Sequence, residues 1–160
     1  MIPVKRLNHA VLFVRDLDVS VGFYTKAFGF EEIAREGGMM AFLRAAGSEN
    51  HHDLGLLALG PNAPRPPRGS TGLYHLAWEV GSIEDLVTAR GTLETMGALV
   101  GASDHGATKS LYAKDPDGNE FEVMWMLPRD QWGDLETRGI VEPLDLEAER
   151  QKHGKPLLDG

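Results

Sequence analysis

Apolar and polar positions alternate twice along this chain, in nearly the same way each time. Leu7, His9, Val11 and Phe13 share one face of a first segment, and Asn8, Ala10, Leu12 and Val14 share the other. A period of two predicts a strand over Leu7–Val14. Two largely apolar faces predict one packed on a helix and one lining a cavity. Asp16 and Asp18 then offer N-caps, and Val21, Tyr24, Ala27 and Phe28 recur at helical spacing up to a stop at Gly29. Glu31–Arg35 and Met39–Arg44 read as strands turning at Gly37-Gly38, and Leu54–Leu59 as another. Then the pattern restarts. Leu73–Val80 aligns residue for residue with Leu7–Val14, 66 positions on. Ser82-Ile83-Glu84-Asp85 opens a helix like a capping box, with Leu86, Ala89, Leu93 and Met96 as its apolar stripe and Gly97 as its end. Leu99–Gly101 is a short strand. Ser110–Ala113 and Glu120–Met126 make a hairpin around the turn Asp115-Pro116-Asp117-Gly118-Asn119. The chain is internally duplicated.

The duplication sets the organisation. Residues 1–127 form one domain, with a first module over about 5–60 and a second over about 73–127. Gly60–Gly72 joins them, and its four prolines exclude a helix or an inner strand. Arg65 and Arg68 in this linker either clamp a ligand or are simply solvated. Residues 128–160 form a polar extension with Trp132 and a helix expected over Leu144–Lys152. It is too charged to be core. Covering the mouth of a site, packing on a second subunit and fraying all stay open for it, and His153 within it is read as solvated.

Composition narrows the class. Apolar content of 42% and charged content of 25% are those of an ordinary globular protein. A net charge of −8 argues against a nucleic-acid groove or an anionic membrane surface. No apolar run reaches transmembrane length. The first residues lack a signal-peptide layout, since His9 interrupts their apolar run and Arg15 and Asp16 close it. The absence of cysteine excludes thiolate ligands and thiol nucleophiles. A cytoplasmic protein is expected.

The candidate chemistry lies in the histidines and one glutamate. His9 and His75 take the third position of the two aligned segments. In the final strand Glu120, Glu122 and Met124 share a face opposite Phe121, Val123 and Trp125. A lone strand histidine is ordinarily a satisfied core residue, and an inward carboxylate needs either a solvated face or a cation. Two histidines at repeat-equivalent places plus Glu122 change that balance. Two imidazoles and one carboxylate suit Fe(II) with positions left open. Glu79 has the same strand parity as His75 and either supports the site or sits on its rim. Phe13, Phe42 and Trp78 are open between pocket and core.

His105, five residues, Leu111-Tyr112, two residues, Asp115-Pro116-x-Gly118, three residues, then Glu122 closely resembles the signature of the type I extradiol catechol dioxygenases. Ser103, two before His105, departs from it. The wider layout, over about residues 5–127, resembles the vicinal oxygen chelate superfamily of glyoxalases, bleomycin-resistance proteins, fosfomycin-resistance enzymes and dioxygenases. The resemblance implies an α+β fold: two βαβββ modules form an open curved mixed sheet around a metal site, with helices outside. It implies His9, His75 and Glu122 as metal ligands and His52, His105 and Tyr112 as catalytic residues, with His51 left in an exposed loop. It implies a non-haem Fe(II) enzyme of aromatic catabolism, Mn(II) or another divalent ion being possible, that cleaves a catechol-type aromatic diol with O2 and works as a homodimer. In glyoxalase-like relatives a glutamate adds a fourth ligand, at the place that Leu56 takes here if the 66-residue offset is kept. An apolar residue there counts against hemithioacetal isomerisation. Two alternatives stay beside this one: another metal-dependent enzyme of the superfamily (an isomerase or thiol transferase), or a binding protein of the bleomycin-resistance type.

Overall fold

The computed structural model describes residues 1–67 and 69–154. Arg68, one of the two linker arginines, lies outside the described residues, as does the end of the extension. The chain divides into two units, Met1–Ser70 and Thr71–Gly160.

In the first unit β1 (Ala10–Val14) leads to α1 (Leu17–Phe28), β2 (Glu31–Glu36), β3 (Met40–Arg44) and β4 (Leu54–Ala58). The sheet order is β1-β4-β3-β2, with β1 parallel to β4 and the other pairs antiparallel. Asp16 caps α1 by accepting from the Val19 N–H at 3.0 Å, and Gly29 ends it at φ 67°. Leu54, Leu56 and Leu43 are fully buried with Tyr24 against the helix-covered face. Each such leucine contributes about 1.5–3 kcal/mol of burial.

The second unit repeats this plan. It runs β5 (Leu76–Glu79), α2 (Ile83–Thr95), β6 (Leu99–Asp104), β7 (Thr108–Lys114) and β8 (Glu120–Met126). Its sheet order is β5-β8-β7-β6, again with only the first pair parallel. Ser82 caps α2 through the Asp85 N–H at 3.1 Å. Ile83, Leu86 and Leu93 from the helix bury against Leu111, Phe121 and Val123 of the sheet. Each unit is thus a mixed, open βαβββ sheet with its helix on one face, and the α+β expectation holds.

Three expectations change. Both histidine-bearing strands begin one residue after the histidine, at Ala10 and Leu76, so His9 and His75 stand at strand entrances. The extension beyond Leu127 is structured against the second unit: α3 (Leu146–His153) buries Leu146 to 5% exposure and packs on α2. His153 is correspondingly not solvated. Its side chain is 10% exposed, with its ring 5.3 Å from that of Trp125 and its Nε2 3.5 Å from Glu149.

Third, the place of Glu122 in the first unit belongs to Gly55, not Leu56. Glu122 is the partner of Ala77 in β5 and of Tyr112 in β7. Gly55 is the partner of Val11 in β1 and of Phe42 in β3. Along the chain Val11 to Gly55 is one residue shorter than Ala77 to Glu122, and one residue reverses strand parity. Leu56 therefore points into the helix-covered core, at 0% exposure.

Candidate functional site

The site residues of the second unit hang on three neighbouring strands. His75 enters β5, Tyr112 and Glu122 face each other across β7 and β8, and His105 sits in the short connection between β6 and β7. His75 Nε2 is 3.1 Å from Glu122 Oε2. Glu122 is 9% exposed. Among the described residues, its ion-pair partner is His75, and no lysine or arginine reaches it. His75 Nδ1 is buried without a hydrogen-bond partner. A buried carboxylate facing an imidazole, with no fixed cation beside it, leaves negative charge to be met. Two adjacent ligands of an octahedral ion with bonds of about 2.1 Å lie about 3 Å apart, so this pair has the spacing of two neighbouring ligands. The donor set fits a divalent metal.

Tyr112 and His105 form a directed pair. Tyr112 Oη is 2.7 Å from His105 Nε2, and His105 Nδ1 is 3.0 Å from the Ile140 carbonyl. A carbonyl only accepts, so Nδ1 carries the hydrogen, and in the neutral ring Nε2 accepts from the Tyr112 hydroxyl. Burial pushes the Tyr112 phenol above its ordinary pKa, and the Glu122 carboxylate and Tyr74 push the same way. Tyr112 thus stays a phenol and a donor at neutral pH.

The first unit holds His9 and His52. Their ring centroids are 4.4 Å apart, and His52 also lies edge-on to Phe42 at 4.9 Å. Desolvation lowers the His52 pKa, and His9 and His51 add to that, which keeps a lone pair available on its ring. His51 is exposed, with its Nδ1 3.1 Å from that of His52. A relay orients His9. The Asp53 carboxylate accepts from Asn50 Nδ2 at 2.7 Å, which turns Asn50 Oδ1 toward Asn8 Nδ2 at 3.1 Å. Asn8 Oδ1 then meets His9 Nδ1 at 2.8 Å. Each acceptor fixes the amide that follows, so His9 Nδ1 carries the hydrogen and Nε2 keeps its lone pair. Sequence reasoning missed Asn8, Asn50 and Asp53, although the polar run Glu49–Asp53 before an apolar strand was a signal.

Among the described residues no three His, Cys, Asp or Glu side chains form a group that could hold a metal ion, so the expected set of His9, His75 and Glu122 is not brought together here. His75 and Glu122 belong to the second unit and His9 to the first. Phe13 and Phe42 alternate onto the face away from the helix, together with Val11 and Gly55, whereas Trp78 is the partner of buried Val123 and faces the helix side. Glu79 is exposed.

The chain belongs to the Glyoxalase/Bleomycin resistance protein/Dioxygenase superfamily, whose family model matches residues 6–123. It is similar to catechol-2,3-dioxygenase of Bacillus subtilis (strain 168), 34% identical over 127 residues, 79% of this chain and 43% of that protein. It is also similar to the manganese-dependent 2,3-dihydroxybiphenyl 1,2-dioxygenase of Geobacillus genomosp. 3, 29% identical over 126 residues, 76% of this chain and 37% of the other. The chain therefore spans about two fifths of the length of these two curated relatives. Among solved structures, a glyoxylase/bleomycin resistance protein/dioxygenase domain from Frankia sp. EAN1pec matches with a TM-score of 0.62 and 26% identity, over 78% of this chain and 99% of that one.

Proposed function

We propose that this protein is an extradiol dioxygenase that opens a catechol-type aromatic diol with O2, using Fe(II) held by His9, His75 and Glu122. The observation that carries this reading is the Tyr112–His105 pair beside Glu122. A Lewis-acid isomerase or a sequestering protein needs the ligands, but it has no stated need for a phenol and an imidazole directed beside them. The similarity to a catechol and a biphenyl-diol dioxygenase supports the same reading. Mn(II) is the alternative ion, as the name of one relative indicates for that relative.

The metal, when bound, supplies a Lewis acid that lowers the diol pKa and brings the diol and O2 together. The chain's own residues do the rest. His75 and Glu122 would hold the ion through side chains that stand on and beside the sheet. Tyr112, kept protonated by burial, donates to a substrate oxygen or to His105. His105 Nε2 takes a proton from the diol. Once protonated there, the ring can no longer accept from Tyr112, and the phenol hydrogen is freed for the oxygen that gains charge. His52, whose pKa is lowered by desolvation, would handle the second proton. The apolar Val11, Phe13 and Phe42 fit an aromatic ring better than a charged one. The protein works in the cytoplasm as a homodimer. Among the described residues no helix is long and apolar enough to cross a membrane.

The test is anaerobic loading with Fe(II), addition of a panel of catechols, then air, with oxygen uptake and the yellow ring-fission product recorded. Stoichiometric uptake is expected with at least one catechol. An Fe(II)-replete protein that consumes no oxygen with any of them would overturn the reading. Sedimentation showing only monomer would remove the dimer.

A further inference from the structure

The extension reaches His105 by a route that neither repeat contains. After β8 the Leu127 N–H donates to the Ala107 carbonyl at 2.8 Å, and Trp132 Nε1 donates back to the Leu127 carbonyl at 2.8 Å. Two short 3-10 turns, Arg129–Gln131 and Gly133–Glu136, carry the chain over the β6–β7 connection. Asp104 and Glu142 there exchange both backbone hydrogen bonds, at 2.8 and 2.9 Å. Between these anchors lies Gly106, at φ +80°. A Cβ on it would meet Leu135 Cδ2 at 2.6 Å and Ile140 Cγ1 at 3.4 Å, so the crossing strap rests directly on the glycine.

The anchors are themselves fixed from below. Asp104 Oδ1 accepts from the Gly106 N–H and from Lys109 Nζ, both at 2.7 Å. Lys109 is 4% exposed and also lies 3.3 Å from Glu149 in α3. A buried ammonium between two carboxylates ties the strap's landing point to the helix that follows it. The crossing then places one backbone carbonyl, that of Ile140, on His105 Nδ1 at 3.0 Å.

We infer that residues 135–142 are a positioning element. Their Ile140 carbonyl selects the Nδ1–H tautomer of His105 and so turns the Nε2 lone pair to Tyr112 and the site. Without that acceptor nothing on this ring decides which nitrogen is protonated, and a Nε2–H ring would offer the site a donor where a proton acceptor is required. The catalytic consequence rests on the dioxygenase reading. The tautomer does not.

The test reads the tautomer directly, by long-range proton–nitrogen spectra of the histidine side chains in this chain without added metal. Wild type is expected to show His105 protonated at Nδ1 and bare at Nε2. Glu142→Pro deletes the N–H that donates to Asp104, and should convert His105 to a mixture of tautomers while His75 and His153 signals stay in place. Glu142→Ala keeps that N–H and should match wild type, which separates the strap from any role of the Glu142 charge. Leu135→Ala, which lifts the contact on Gly106, should give a smaller shift of the same sign and serves if the proline variant does not fold. In turnover, Glu142→Pro should lower kcat by about 10–100-fold with KM within about 2-fold, as for loss of a group that orients another. A wild-type His105 protonated at Nε2, or an unchanged tautomer in both Glu142→Pro and Leu135→Ala, overturns the inference. An enzyme with the expected tautomer shifts and no activity on any catechol would leave the strap standing and remove the dioxygenase reading.

Discussion

The two units share a topology and differ in what each spends it on. Register sets the equivalences: Val11 with Ala77, Phe42 with Tyr112, Gly55 with Glu122, and, three residues back along the antiparallel strand, Met39 with Lys109. At three of these four places the second unit carries a polar or chargeable group where the first does not. The face of the first sheet away from its helix is Val11, Phe13, Phe42 and Gly55, which is a wall. The corresponding face of the second is Ala77, Tyr112 and Glu122, which is a set of reagents. A duplicated scaffold can thus divide its work, because the sheet only fixes directions and each side chain decides what is offered along them. The largest expected differences between the units follow from these pairs of positions.

The largest is at Glu122 and Gly55. Glu122→Ala removes the only carboxylate of the proposed ligand set. Divalent-metal affinity should fall by more than the roughly 10–100-fold that follows loss of a hydrogen bond to a ligand, and turnover should fall with it. Gly55→Ala should leave metal content alone. Its new Cβ would meet Val11 Cγ2 at 3.2 Å, a contact that Val11, exposed and on an edge strand, can relieve. Metal analysis after dialysis decides the matter: a Glu122→Ala protein as metal-rich as wild type would mean that the glutamate is not a ligand.

Next comes the directed pair, which has no counterpart in the first unit because phenylalanine stands where tyrosine does. His105→Ala should keep its metal and bind catechol but lose turnover by about 10²–10⁴-fold. Tyr112→Phe makes the second unit resemble the first at that place. It deletes one hydrogen bond, keeps the ring, and should do less harm. Single-turnover rates with pre-bound catechol separate these effects from binding, and equal rates for His105→Ala and wild type would leave His52 as the proton-transfer residue.

A third contrast lies under the helices. Met39 is 66% exposed, while its equivalent Lys109 is 4% exposed between Asp104 and Glu149. Removing one member of a buried charged group costs about 3–5 kcal/mol, because its partners stay buried without it. Lys109→Ala should be destabilised on that scale in urea unfolding, and Met39→Ala should stay within about 0.5 kcal/mol of wild type. Equal midpoints for the two variants would mean that α3 does not depend on the ion group.

What the sequence shows of this molecule follows the range of each signal. The duplication, both capped helices and the hairpin are written in local periodicity and in turn residues such as Asp115-Pro116-Asp117-Gly118, so they are legible. The placing of Leu56 at the position of Glu122 fails because strand equivalence depends on the connections between strands, and a net difference of one residue between the first and last strands of the two units exchanges one face for the other. The helix α3 is legible, expected over Leu144–Lys152 and found at Leu146–His153, but its packing and the burial of His153 are not, for another reason. Both rest on Lys109 and Trp125, which lie far away in sequence and are reached only once the sheet exists. Of the candidate site, the residues that match a motif are legible. The groups that aim them, Asn8, Asn50, Asp53 and the Ile140 carbonyl, are not, because a backbone carbonyl has no sequence signature and an asparagine beside a histidine has many meanings.

The smallest expected effect concerns one of those aiming groups. Asp53 accepts hydrogen bonds from the Ala45 N–H, Ser48 and Asn50, at 2.8, 2.8 and 2.7 Å. Partial burial works against its charge, but those three bonds outweigh it and hold the carboxyl below its ordinary pKa of 3.8. A lowered folded-state pKa means the unfolded chain binds the proton more readily. The stabilisation is therefore fully present above about pH 4 and is lost as pH falls through the lower folded value. Asp53→Asn should cost about 1–2 kcal/mol at pH 7, and the gap to wild type should narrow as the pH falls below about 4 and on through the lower folded value. The same variant should also loosen the choice of amide orientation at Asn50 and Asn8, and so the tautomer at His9. Metal affinity should then drop by no more than about 10–100-fold, well short of Glu122→Ala. A gap that widens on acidification would reverse the sign of the Asp53 argument, and a metal affinity identical to wild type would detach His9 from the relay.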